Sequence, residues 1–388
     1  MSAVQTVPIE RDIKDAVRRV CDRFGNAYWR ELDARRAYPD EFVRALAQEG
    51  WLGVLIPEEY GGGGLGINEA CAVLEEVNRC GGNSGACHAQ MYMMGALLRH
   101  GTAEQKARYL PEIAASRLRL QAFAVTEPDA GSDTTAIKTR AEKVEGGYRI
   151  TGRKIFISRV QHSDLMLVLA RTTRREELER RTDGLTLFLL DLRTVSDGEL
   201  QVTPIEMMVN HETNEVCFDN VFIPDEGVVG EVGRGFYHVL DGLNAERILL
   251  AAECVGDARW FIERSVDYAK NRVVFGKPIG RNQGVQFPIA EAHVLTEAAD
   301  RLRRHAASLF DRQEKCGPEA NMAKFMASRA SWMAANVAMD VHGGYGLAVE
   351  YDIERKFREN RLFQVAPVTN NLVLAYVAEH VLGLPRSS

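Results

Sequence analysis

The chain has 388 residues, 46% of them hydrophobic and 26% charged, the balance of a folded protein of two or three domains. That composition excludes disordered, collagen-like and disulfide-scaffold chains. Forty-eight basic against 54 acidic residues give a net charge of −6, no footprint for nucleic acid or an anionic membrane.

From about Ile9 to Leu118 apolar residues recur at three- and four-residue steps, as in Glu41–Glu49 and Asn68–Arg79, with breaks at Pro39, Pro57, Gly61–Gly64 and Gly81-Gly82. That spacing predicts amphipathic helices. From about Ala122 to Gly230 the period falls to two. Arg140–Ser158 alternates across Glu145-Gly146-Gly147 as a hairpin would, and Leu165–Leu169, Leu185–Leu190 and Glu215–Ile223 read as short strands. Beyond Gly235 long helical patterns return at Phe236–Asn271, Val285–Phe310, Glu319–Val341 and Val368–Leu382. The fold class is therefore mainly α with a central β domain, divided at residues 1–121, 122–231 and 232–388. Segregated blocks argue against βαβ alternation and a doubly wound dinucleotide-binding sheet.

Seven scattered cysteines, never as Cys-x-x-Cys, point to reduced thiols, and the histidines do not fall at metal-ligand spacing with them. No stretch approaches the ~20 apolar residues of a membrane-spanning helix. Early Glu10, Asp12 and Asp15 fit neither a signal nor a transit peptide. A cytoplasmic location is expected, or an organelle matrix if a transit peptide has been removed. No metal site is expected.

Five motifs carry possible chemistry. The run Gly61–Gly64 lacks a following Lys-Ser/Thr and reads as a turn, not a phosphate loop. Phe123–Asp133 runs from a short apolar strand into a loop clustering Thr126, Ser132 and free amides around Pro128 and Gly131, which suits either a polar turn or a ligand site. Phe156 and Ser158, two apart on a strand, could stack on a flat ring and bond its edge, or sit in a half-buried sheet. Arg272, Lys277 and Arg281 cluster beside Phe275 and Gly276 at a helix end, a position the helix dipole alone favours for cations. Val341–Gly346 holds three glycines, a helix stop or a close approach of backbone to something else.

Helix Phe236–Asn271 holds the most informative residue. Val239, Leu243, Leu250 and Cys254 share one face, and Glu246 falls within about 40° of Val239 and Leu250. A carboxylate there is costly unless paired, neutralised or used. Three readings stay open: a solvent face, a buried ion pair, or a general base whose pKa burial raises. Glu253 points much the same way two turns on. Arg247 points about 100° away and is no automatic partner.

In this order and spacing the motifs resemble the acyl-CoA dehydrogenase family along nearly the whole chain, from the Tyr38–Gly64 region to Arg386. The resemblance implies an N-terminal helical domain, a β-barrel-like middle domain and a C-terminal four-helix bundle. It also implies non-covalent FAD, an acyl-CoA substrate, an electron-transferring flavoprotein as acceptor, and a homotetramer whose flavin sites span two subunits. By position, Phe123, Val125 and Thr126 would border the flavin ring, with Gly131 and Ser132 toward phosphate or substrate. Phe156 and Ser158 stand where the family has Trp-Ile-Thr, keeping an aromatic for the ring and a hydroxyl near N5. Arg272, Phe275 and Gln283 match residues lent by a neighbouring subunit. Gly343 and Gly344 match the close-approach glycines, and Thr369 and Asn371 the adenine-side contacts. Phe236 and Arg247 would lie along the acyl-CoA channel.

Two departures matter. Many members carry their catalytic glutamate late, in Tyr-Glu-Gly-Thr, where this chain has Ala366-Pro367-Val368-Thr369. Proline takes no proton and has no N–H to hold a thioester carbonyl. A branch resembling isovaleryl- and long-chain acyl-CoA dehydrogenases places the base earlier, in Leu-Asp-x-Glu-Arg, and here that segment is Leu243-Asn-Ala-Glu246-Arg247. The resemblance thus makes Glu246 the catalytic base. The second departure is Asp340, where the family commonly has Gln near the cofactor's phosphates. The expected reaction is α,β-dehydrogenation of a saturated acyl-CoA to the trans-2-enoyl-CoA, in fatty-acid or branched-chain metabolism. Its rivals are a same-fold flavin monooxygenase or oxidase, which needs no Glu246, and a catalytically silent homologue.

Overall fold

Residues 8–386 are described by the structure, a computed structural model in which helices come first, strands next and long helices last. The first helices are α1 (Pro8–Cys21), α2 (Asn26–Arg35), α3 (Asp40–Gln48), α4 (Ile67–Arg79), α5 (Gly85–His100) and α6 (Ala103–Ala114). The strands are β1 (Leu120–Ala124), β2 (Arg140–Val144), β3 (Gly147–Ser158), β4 (Leu165–Arg171), β5 (Leu185–Asp191), β6 (Leu200–Pro204), β7 (Thr213–Pro224) and β8 (Val228–Val229). There follow α7 (Gly235–Asn271), the short pair β9 (Val273–Val274) and β10 (Lys277–Pro278), α8 (Gln283–Asp311), α9 (Gly317–His342), α10 (Ile353–Arg361) and α11 (Asn370–Tyr376). Among the described residues no helix is long and apolar enough to cross a membrane.

The elements form two compact units. A sheet unit holds Arg36–Leu65 and Gly85–Leu243; a helical unit holds the described residues up to Arg35, Gly66–Ser84 and the chain from Asn244 onward. In the sheet unit the strand order is β6-β7-β3-β2-β4-β5-β8, with β1 paired parallel to β4. Strand β4 is buried along its whole length. Its Leu165, Leu167 and Leu169 face one apolar cluster with α5 and α6, while Met166, Val168 and Ala170 face another with Ile150, Val216 and Ile223. Two buried faces explain why this strand reads as a continuous apolar run without alternation. The Gly61–Gly64 run is a packed turn: a Cβ on Gly62 would meet Ile56 O at 2.2 Å.

In the helical unit α9 packs through alanines, with Ala320, Ala323, Ala327, Ala334 and Ala338 all buried. Small side chains let helices approach closely, and a Cβ on Gly256 of α7 would meet Glu75 O of α4 at 2.3 Å. Close packing also traps charges, which are matched. Glu75, fully buried, accepts from Lys14 Nζ at 2.7 Å and from Arg259 Nη1, with Arg303 Nη2 at 3.7 Å. Asp300 accepts from Arg259 at 3.0 Å and is bonded to Arg303. This network ties α1, α4, α7 and α8 together. A second set joins α2, α7 and α10 through Arg30–Asp352 at 2.6 Å, Arg358–Asp33 at 2.6 Å and Lys356–Asp257 at 2.6 Å.

Removing one member of a buried charge set leaves its partners uncompensated. Glu75→Gln is therefore expected to lower stability by about 3–5 kcal/mol. Chemical denaturation of the variant checks this, and a loss within error of zero would mean that Arg259 and Lys14 find other partners.

Candidate active site

In the sheet unit, β1 delivers Phe123 and Val125 to the helix-facing apolar cluster, beside partly buried Tyr92 and Phe236. The chain then turns tightly, with Glu127 N and Ala130 N each donating to the other's carbonyl at 3.1 Å. Glu127 is buried and accepts from Lys138 N at 2.7 Å, Thr139 N at 2.9 Å and Lys154 Nζ at 3.0 Å. Burial raises the Glu127 carboxyl, but Lys154 and the two amides pull it below its ordinary value. Lys154 also donates to Val125 O at 2.9 Å, and burial lowers its ammonium to about 8 despite Glu127. Ile155 N donates to Thr126 O at 2.9 Å. These bonds bring the two sequence motifs, Phe123–Asp133 and Lys154–Ser158, together.

Phe156 is 55% exposed and has φ +60°, inside a bulge between Lys154 and Ile157 in the β3–β7 pairing. The bulge interrupts the simple alternation that would put Phe156 and Ser158 on one face. Both still stand clear of the buried Lys154 and Ile157, with Ser158 half-buried. Gly131 and Ser132 are exposed, and a Cβ on Gly131 would meet nothing within 4 Å.

Sequence reasoning missed the groups that hold this strand end. Arg159, buried and left-handed at φ +59°, donates its N–H to Glu212 O at 2.9 Å. Its guanidinium lies 3.0 Å from His211 Nδ1 and 3.4 Å from Glu212 Oε2. Burial and the Arg159 charge push the His211 imidazole well below its ordinary value. The partners lie some fifty residues apart, so no local pattern could have announced them.

In the helical unit, Glu246 is 7% exposed and Arg247 8%, so the solvent-face reading of Glu246 is excluded. Burial lowers the Arg247 pKa while Glu246 raises it, so the two do interact in spite of their angular separation. Arg247 Nη1 donates to Asn244 Oδ1 at 3.1 Å, and its buried Nε has no hydrogen-bond partner among the described residues. Glu253, two turns on, accepts from Ser84 Oγ at 2.5 Å, a bond between α7 and the end of the α4 segment.

The helix end at Asn271 leads into a tight hairpin, β9–β10, with Phe275 at its tip, fully exposed at φ +51° beside Gly276 at φ +74°. Arg272 lines a cleft of ≈ 580 Å³ with Tyr268, Asp340, Gly343, Gly344 and Glu350. Gly343 has φ +57° and Cβ positions on both glycines are open. Gln283 and Asn371 are exposed, and Thr369 N-caps α11, its Oγ1 accepting from Leu372 N at 3.3 Å.

Three family models match in succession: the acyl-CoA dehydrogenase N-terminal domain at residues 8–117, the middle domain at 122–221 and the C-terminal domain at 233–382. The chain belongs to the acyl-CoA dehydrogenase family. It is 36% identical to acyl-CoA dehydrogenase FadE12 of Mycobacterium tuberculosis over 98% of both chains. It is 32% identical to the caffeyl-CoA reductase–Etf complex subunit CarC of Acetobacterium woodii over 88% of this chain and 89% of that one. A solved glutaryl-coenzyme A dehydrogenase bound to glutaryl-CoA shares the fold at a TM-score of 0.91 and 30% identity, covering 99% of this chain and 98% of that chain.

For this acyl-CoA dehydrogenase family member, the Glu127–Lys154 pair is the testable part of the sheet-unit site. Glu127→Ala should destabilise the protein by about 3–5 kcal/mol, because it strands a buried ammonium. Adding Lys154→Met should recover much of that loss. A double-mutant cycle in denaturant reads both, and additive losses would show that the pair does not act as one.

Proposed function

We propose that this chain is an FAD-dependent acyl-CoA dehydrogenase that introduces a 2,3-double bond into a saturated acyl thioester, with Glu246 as the base. The observation that carries the assignment is a buried carboxylate at the family's early base position, where the late position offers only Pro367.

The residues present fit the cofactor. Phe156 offers an exposed aromatic face and Ser158 a hydroxyl beside it, with Thr126 tied to the same strand end. Phe123, Val125, Gly131 and Ser132 complete the sheet-unit set. Arg272, Gly343 and Gly344 line a cleft able to take a diphosphate, with Asp340 and Glu350 the acidic groups it must keep clear of. Phe275, Gln283, Thr369 and Asn371 would serve the cofactor's outer parts. Bound FAD would supply the two-electron acceptor for the substrate's β-hydrogen.

The chain's own part is acid–base work and positioning. Glu246 takes the α-proton, and Arg247 beside it stabilises the ionised carboxylate that must be ready to receive it. Phe236, Ser132 and Arg247 would guide the acyl-CoA. Seven scattered cysteines, never spaced as Cys-x-x-Cys, support a reducing compartment. An electron-transferring flavoprotein is proposed as acceptor, in keeping with the Etf complex named for one relative. That relative's name also favours a second reading, in which the same site runs as an enoyl-CoA reductase.

Glu246→Gln should retain FAD and acyl-CoA affinity but slow anaerobic flavin bleaching by about 10²–10⁴-fold, the usual worth of a placed base. Bleaching at the wild-type rate would remove Glu246 from the role. A panel of acyl- and enoyl-CoAs, followed in both directions, separates dehydrogenase from reductase.

We further propose a homotetramer in which the hairpin tip serves a neighbouring copy's cofactor. Phe275→Ser should then lower the FAD bound per chain and weaken subunit association in sedimentation. Full FAD content in a variant that still assembles would count against Phe275.

A further inference from the structure

The helical unit contains a second buried cation near the candidate base. Lys324 of α9 is fully buried, yet both of its hydrogen-bond acceptors are neutral oxygens. Nζ donates to Val368 O at 2.8 Å and to Asn370 Oδ1 at 2.8 Å. Other buried cations of this unit, Arg303, Arg355 and Lys356, each reach a carboxylate. An ammonium without one is held against a desolvation cost that hydrogen bonds to neutral groups only partly offset. Arg247, a charge of the same sign, also opposes the Lys324 ammonium. Arg247 in turn is the group on which Glu246 acts.

Lys324 also holds down the segment that replaces the late base position. Asn370 Nδ2 donates to Gln364 Oε1 at 2.9 Å and to Ser328 Oγ at 3.1 Å, and Gln364 Nε2 donates to Ser328 O at 2.6 Å. One face of α9, Lys324 and Ser328, thereby clamps residues 364–370. The clamp carries one full positive charge.

We propose that Lys324 is a positioning residue for the proton-transfer step, holding residues 364–370 and adding its own charge to that of Arg247 in the surroundings of Glu246. This rests on the reading of Glu246 as the base. A positive environment favours the ionised carboxylate before reaction and stabilises negative charge that develops on a substrate losing its α-proton.

The groups facing Lys324 are few. From α7 come Arg247 and Cys254, with Glu253 and Asp257 acting on Cys254. Residues 364–370 present only neutral oxygens, and Tyr376 of α11 acts on Arg247. The Cys254 thiol is pushed well above its ordinary value by burial and stays neutral. Burial lowers the Lys324 ammonium to about 8, with Cys254 opposing and Arg247 adding a smaller push in the same direction as burial. The charge is present below that pH and lost above it.

The test uses the FAD-loaded enzyme and the rate of anaerobic flavin bleaching across pH. In the wild type the rate should fall as pH rises through about 8. Lys324→Arg keeps its charge to far higher pH, so that limb should disappear. Asn370→Asp gives the ammonium a carboxylate partner and should move the limb upward. Lys324→Met should slow bleaching on the order of tenfold at pH 7 with KM little changed, less than removal of the base itself. In Lys324→Met the amides of residues 365, 366 and 368–370 should also exchange faster. Should Lys324→Met fail to fold, the two limb shifts decide. A limb unchanged in both Lys324→Arg and Asn370→Asp would overturn the proposal. Glu246→Gln, run alongside, keeps the two readings apart: if it abolishes bleaching while the Lys324 variants behave as wild type, only the Lys324 role falls. If Glu246→Gln bleaches normally, the base assignment falls and this inference with it.

Discussion

An ionised side chain taken out of water needs a counter-charge, and that requirement organises the helical unit. Glu75, Asp300 and Asp257 each meet cations from other helices, and those pairs decide which helices lie side by side. The rule is followed closely enough that departures from it are informative. Arg247 keeps a buried Nε without a hydrogen-bond partner among the described residues, and Lys324 spends its charge on two neutral oxygens. Arg247 directly follows Glu246 in the chain, and Arg247 is the cation that opposes Lys324. A protein core that elsewhere neutralises its charges carries excess positive charge where a carboxylate would have to stay ionised and a substrate would have to become negative.

The sheet unit solves a different problem with the same chemistry. Its candidate residues sit on loops and a strand end, which are the parts of a fold most prone to move. Lys154 and Glu127 bury an ion pair beneath them, and Arg159 repeats the device one residue beyond Ser158. Ser158 is flanked closely by two residues in the left-handed region, Phe156 and Arg159. Such conformations cost roughly 1–3 kcal/mol each and persist only where surrounding bonds over-determine them. Here those bonds are Ile155 N to Thr126 O and Arg159 N to Glu212 O.

What could be read from the sequence was what depends on local period. The hairpin across Gly146 and the long α7 announce themselves by spacing and β4 by its unbroken apolar run, and all are present. Glu246 was legible as a carboxylate beside an apolar stripe, but not as distinct from Glu253. That distinction came from the family motif, and the partner of Glu253, Ser84, lies 169 residues away in sequence. The β9–β10 hairpin was read only as a helix end, because two-residue strands leave no periodic signal. The bulge at Phe156 was invisible for a related reason: one extra residue shifts a register that only the partner strand β7 defines. The Arg159–His211–Glu212 group and the Lys324 clamp could not be read at all, since their members meet only through tertiary folding.

With Pro367 unable to take a proton or donate an N–H, the late position offers no base. In the proposed reading proton transfer is then confined to α7, where packing rather than a loop fixes the carboxylate. That confinement leaves the direction of the reaction open in a useful way. A base that removes an α-proton in dehydrogenation is the same group that returns it in reduction, so neither Glu246 nor its surroundings favours one direction at equilibrium. Dehydrogenase and reductase relatives on one fold are what this predicts. The direction is set by the acyl group's own chemistry and by the potential of the electron partner, and the residues that distinguish such relatives should lie along the acyl channel and the partner-facing surface rather than at the base.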